Sequence, residues 1–178
     1  MTAAELIDAA ALPEDAGALA KPDMQGNAFI DALSRSGRQP DGIRALAHAL
    51  PTRDAIAWAV DCLRRTTSPE KPGEVAALEA IDHWLADGSD DNRRAALAAA
   101  DNASATPAGV LAFAVYLSGG SVAPPQAPVV PPVKYAAAKA AAGAIVLAVV
   151  LREPEKAPEK FSALIQDGFR RAHDLKIW

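Results

Sequence analysis

Thr106-Pro-Ala-Gly-Val-Leu-Ala-Phe-Ala-Val-Tyr-Leu117 belongs to a run, residues 103–133, that contains no charged side chain. The segment carries a helix-start signal, Thr106 as cap and Pro107 at the first helical position. It turns on Ser118-Gly-Gly-Ser121 and continues as Val122-Ala-Pro-Pro-Gln-Ala-Pro-Val-Val-Pro-Pro-Val133, and a second apolar helix is predicted from Lys134 to Arg152. Val129-Val130 is hemmed in by prolines, which cannot donate to a β-ladder. No stretch reads as a strand, so the expected class is all-α. In a polyproline II conformation, Pro124 to Pro132 would cover roughly 28 Å, about the height of a bundle. That predicts a stiff strap on the outside joining two apolar helices that run parallel. The whole is then a compact orthogonal or irregular bundle of about seven to nine helices with a proline-rich crossover strap.

Composition agrees with helices packed closely through small side chains. Hydrophobic residues are 51% of the chain, much of it alanine, while aromatics are only 5%. A chain of 178 residues is of one-domain size and can bury enough apolar surface to fold without disulfides or metals. The net charge is −4, with basic residues scattered among acids, which gives no electrostatic reason to expect nucleic acid as a partner. The single cysteine, Cys62, rules out an intramolecular disulfide and suits a reducing cytoplasm. Acids in Met1-Thr-Ala-Ala-Glu-Leu-Ile-Asp8 stand where a secretory signal would carry basic residues. Lys139 interrupts the longest apolar helix, leaving Ala140 to Leu151 against the roughly 20 residues a membrane span needs.

Working outward, Pro13, Gly17 and Pro22 punctuate the start of the chain, so residues 1–24 are expected to be a short helix and a loose arm. Residues 25–178 are expected to form a single helical domain. Asn27 is a candidate cap for a helix bearing Phe29, Ile30 and Leu33. The helix after Pro51 has a polar stripe of Asp54, Asp61, Arg64 and Arg65, with Ile56, Trp58, Val60, Cys62 and Leu63 covering the rest. A helix so widely apolar is expected to be central. Glu74 to Asp87 shows a buried face through Ala77, Ile81 and Trp84, and Ser89-Asp90-Asp91 opens the next helix by capping and by placing acids at the positive end of the macrodipole. A last amphipathic helix begins at Pro158.

Few residues are arranged for chemistry. The histidines, His48, His83 and His173, share no local zinc-ligand spacing, so no metal or cofactor is expected. Cys62 lies on an apolar arc and reads as core packing. Asp54 and Asp61 share a helix face and could in principle act as an acid and base pair, but Arg64 and Arg65 one turn on make them read as a salt-bridge stripe. Gly119-Gly120 lacks the following helix that a phosphate loop requires and reads as a helix cap. Pro125-Gln-Ala-Pro128 and Pro128-Val-Val-Pro131 match the PxxP pattern of polyproline ligands, although the valines suggest a strap packed on the protein instead. No catalytic residue is expected.

Three segments carry a resemblance: Leu50-Pro51-Thr-Arg-Asp-Ala-Ile-Ala-Trp58; Ala77-Leu-Glu-Ala-Ile-Asp-His-Trp84 with Asn92-Arg93-Arg94-Ala95-Ala96; and Ser118-Gly-Gly-Ser-Val-Ala-Pro-Pro125. They resemble an uncharacterised bacterial family of small helical proteins found near type VI secretion genes, over about residues 45–150. The segment from Trp84 to Ala103 is also similar to helical immunity proteins. The resemblance implies a non-enzymatic cytoplasmic accessory or adaptor that binds another protein. The alternatives are an immunity protein neutralising a toxin and an uncharacterised enzyme. The residues expected to meet a partner are Asp82, Asp87, Asp90 and Asp91, an acidic cluster able to mimic nucleic acid, and Trp178 at the chain end.

Overall fold

The computed structural model describes residues 1–178. It holds ten α-helices: α1 (Ala3–Ala9), α2 (Glu14–Gly17), α3 (Gly26–Arg35), α4 (Gln39–Ala49), α5 (Thr52–Thr66), α6 (Pro72–Ala86), α7 (Asp90–Asn102), α8 (Pro107–Tyr116), α9 (Ala136–Leu151) and α10 (Ala157–Asp174). A 3-10 turn, Pro154–Lys156, precedes α10. There is no strand, only one isolated bridge between Thr2 and Gln25. The fold is all-α.

α8 and α9 are apolar on nearly every side, and such helices are stable in water only when enclosed. Leu111, Ala112, Ala114 and Val115 of α8 are fully buried, as are Ala141, Ala144, Ile145, Ala148 and Val149 of α9. They pack on each other, with α4 and α5 against α9 and α6 and α7 against α8. The wide apolar arc of α5 is buried from Ala55 to Leu63 on all but its charged stripe. Close approaches require glycine at several points, two of them deep in the bundle. A Cβ on Gly109 would overlap the carbonyl of Ala103, and one on Gly168 would strike the Leu46 side chain and come within 3.0 Å of the Trp58 ring. Trp58 itself donates Nε1–H to the Leu164 carbonyl at 3.3 Å, which satisfies its one polar atom inside the core. The expected caps Ser89 and Thr106 accept from the backbone of Asn92 and Gly109. Asn27 does not cap: α3 starts one residue before it, after Gln25.

The parallel strap is not what forms. Leu117 and Ser118, after the end of α8, border the same depression as Lys134 to Ala138 at the start of α9. At the other end, Pro107 and Ala108 border another depression with Leu151 and Arg152. α8 and α9 are therefore antiparallel neighbours. The proline run has no bundle height to cover, and it folds back on itself: the Val122 N–H donates to the Val130 carbonyl at 2.8 Å, and a turn carries the Ala127 N–H to the Pro124 carbonyl at 2.9 Å. Nor do its valines pack inward, since Val129 and Val133 are 77% and 82% exposed. Proline stiffness holds only between turns, and the glycine pair with Gly120 at φ +62° re-aims the chain before the first proline.

The first two dozen residues are not loose either. Ala3, Leu6, Leu12 and Ala16 belong to the same buried hydrophobic cluster that extends to Ala172. The Ala3 N–H donates to the Met24 carbonyl (2.8 Å), the Gly26 N–H donates to the Met1 carbonyl (3.0 Å), and Asp15 pairs with Arg38 at 2.5 Å. Prolines in this segment turn the chain back onto α3 and α4 instead of releasing it, and the added short helix α2 is the result.

Candidate functional site

The proline loop is held from beneath by α7. Arg93 shares one face of that helix with Ala96 and Ala100, so its side chain enters the protein and is only 4% exposed. A buried guanidinium needs its charge and its donors matched. Nε and Nη2 donate to Asp90 Oδ1 at 2.8 and 2.6 Å, Nη1 donates to the Tyr116 carbonyl at 2.6 Å, and Nη2 also donates to the Ser121 carbonyl at 2.9 Å. The guanidinium sits 5.0 Å from the centre of the Tyr116 ring. Arg94 adds a second layer, donating to Asp90 Oδ2 at 2.7 Å and to the carbonyls of Ala123 and Ser121 at 3.2 and 3.3 Å. Hydrogen bonds from Arg94 and then Arg93 hold the Asp90 carboxyl below its usual range.

The loop completes the clamp from its own side. The Tyr116 hydroxyl donates to the Val122 carbonyl at 2.7 Å, and Ser121 Oγ accepts from the N–H groups of Ala123 and Val130, both at 3.1 Å. With the bond between Val122 and Val130, these contacts make a closed neck, beyond which residues 124–129 are exposed. The result is a charge-free, largely exposed loop on a rigid base.

The structure distributes the residues expected to meet a partner differently. Asp87, Asp90 and Asp91 do gather at the corner between α6 and α7, but their charges are not equally available. Asp90 is engaged by two arginines. Asp87 accepts from Asn92 Nδ2 at 3.2 Å, and Asp82, farther back on α6, accepts from Arg64 at 2.6 Å. Asp91 stands exposed in the first turn of α7. Trp178 is not a free end: the tail turns back through an Ile177 N–H bond to the Ala172 carbonyl at 3.0 Å, and the indole packs edge-on to Phe169 at 6.1 Å. It remains half-buried.

Asp54 and Asp61 do share a groove, of about 650 Å³, between α5 and α10, with Trp58, Arg64, Arg65, Asp167 and Arg171 along it. Arg171 donates to Asp61 at 2.8 Å, and Arg65 and Arg170 both reach Asp167. Arginine ion pairs thus occupy two of its four carboxylates, Asp61 and Asp167, and leave Asp54 and Asp174 without an arginine partner. Burial pushes the Cys62 thiol up to about 12, so it stays protonated and unreactive at neutral pH. His48 is buried, donates Nδ1–H to the Arg44 carbonyl (2.7 Å), and packs 5.6 Å from the Tyr135 ring at the foot of the loop. No group of three or more His, Cys, Asp or Glu side chains is arranged to hold a metal ion. No helix is long and apolar enough to cross a membrane.

A family model matches residues 29–172, from within α3 to within α10. The chain belongs to a family of unknown function (DUF6931). The DUF6931 match includes the whole clamp and the proline loop, and leaves α1, α2 and the Trp178 tail outside. It agrees with the uncharacterised helical family expected from the motifs and extends beyond residues 45–150 at both ends. No curated protein and no solved structure matches the chain.

Proposed function

We propose that this DUF6931 protein is a non-enzymatic binding protein, an accessory or adaptor that presents its proline loop to another protein in the cytoplasm. One observation carries the reading: a loop without charge is displayed to solvent while Arg93, Arg94, Tyr116 and Ser121 fix its base. A loop ordered before binding loses little conformational entropy on binding. The setting beside a type VI secretion apparatus rests on the sequence resemblance alone.

The immunity alternative draws on the acidic corner. It is weakened there, because Asp90 and Asp82 have arginine partners and so offer less unbalanced charge to a basic nuclease. The enzyme alternative draws on Asp54 and Asp61 lying over one groove, and is weakened by the arginines that occupy it. The test is affinity capture from the native host with the intact chain and with a chain lacking residues 123–129. A secretion component retained by the first and lost by the second supports the proposal. Equal retention by both removes it, and rescue of growth against a co-expressed toxin would favour the immunity reading.

A further inference from the structure

The chemistry of the loop narrows the kind of partner it can meet. Pro124, Pro125, Pro128, Pro131 and Pro132 have no N–H, so the segment cannot join a sheet edge as a strand or dock as a helix. Proline fixes φ at Pro128, Pro131 and Pro132. Ala127, Val130 and Pro131 each precede a proline and are driven to extended or polyproline II backbone. No helix or turn interrupts Pro128 to Val133.

In polyproline II geometry three residues make a turn, so Pro128 and Pro131 share one edge, Val129 and Pro132 the next, and Val130 and Val133 the third. The third edge is the one tied down, since Val130 gives its N–H to Ser121 Oγ and its carbonyl to Val122. On the other two edges, Pro132 is half-buried in the depression beside the start of α9. Pro128, Val129 and Pro131 are exposed, and the carbonyls of Pro128, Val129, Pro131 and Pro132 accept no hydrogen bond within the protein. Flat proline rings with unused carbonyls between them fit a groove lined by aromatic side chains, whose ring faces seat the prolines and whose indole or phenol groups donate to the carbonyls.

We propose that Pro128–Val133 is a preformed polyproline II ligand for a partner domain with an aromatic-lined groove. This rests on the reading of the loop as the binding element and specifies how it binds. Because residues 103–133 carry no charge and the Lys134 ammonium lies 4.6 Å from its own Tyr135 ring, the contact does not depend on ion pairs.

To test this, p-benzoylphenylalanine replaces Val129 in the full-length chain, which is expressed in the native host and irradiated. The cross-linked partner peptide is then sequenced by mass spectrometry. The cross-link should fall on a segment bearing Trp, Tyr or Phe. Adding Pro128→Ala with Pro131→Ala should lower its yield roughly tenfold, as loss of a recognition anchor does. The yield should change little between roughly 0.05 and 0.5 M salt, over which exposed ion pairs are screened. Both prolines are exposed, so an unchanged melting curve verifies that the double variant is folded. A cross-link on a surface without aromatic side chains, or one undiminished in the double variant, overturns the groove. If the chain lacking residues 123–129 has meanwhile lost the partner, the binding function stands; if that chain and the Pro128→Ala/Pro131→Ala variant both retain the partner, both proposals fall.

Discussion

Arg93 ties the start of its own helix, at Asp90, to the last residue of α8 and the neck of the loop, more than twenty residues on. Arg93→Ala would leave two carbonyls and a carboxylate short of donors, at a cost of about 3 kcal/mol, measured as the shift in the urea unfolding curve. Arg93→Lys should recover less than half of this, because an ammonium cannot reproduce the planar fork. His48 offers a pH test. Burial lowers its pKa from the ordinary 6.5, so the unfolded chain takes up the proton first. Its contribution is therefore intact above pH 6.5 and is lost as pH falls through that value. His48→Gln should flatten the decline in urea midpoint between pH 7.5 and 5.5 that the native chain shows. Of these two residues, Arg93 had a signal in the sequence that composition hides: it stands three and seven residues before Ala96 and Ala100, on the apolar stripe of α7. An arginine at such a position is buried or breaks the stripe.

The two helices of the α8–α9 hairpin and the loop between them have separate physical origins. The helices form because apolar side chains cover them nearly all round; the loop's path is set by a glycine turn and by donors from another helix. That separation gives an element-scale prediction. Removing residues 123–129 should leave the melting temperature within about 4 °C of the intact chain, equivalent to a change below roughly 1 kcal/mol. A strap that spanned the bundle would not tolerate it. The same separation explains what could be read in advance. Helix positions, the Ser89 and Thr106 caps and the central place of α5 follow from periodicity and local chemistry, which a sequence displays. The direction of α9 against α8 depends on whether nine residues stay straight, and that was decided by contacts from Arg93, Arg94 and Tyr116, which no local pattern encodes. The exposure of the PxxP segments follows from that path, so no local pattern encodes it either.

At the scale of the molecule, one buried cluster runs from α1 to α10, and the N-terminal segment takes part in it through Ala3, Leu6, Leu12 and Ala16. Leu6→Ala should destabilise by about 2–5 kcal/mol in denaturant unfolding, as a core truncation does, whereas a loose arm would give no change. Asp90, through its two arginines, and Trp178, through Phe169, are tied to this folded body, whereas Asp91 stands exposed and has no partner within the protein. The neck at Val122 and Val130 draws a boundary that the helices do not have. Inside it, a change of residue is judged by packing; outside it, by whatever the loop touches. Lineages carrying this scaffold can therefore exchange the tip as a cassette, adjusting recognition while the bundle stays under a separate selection for stability.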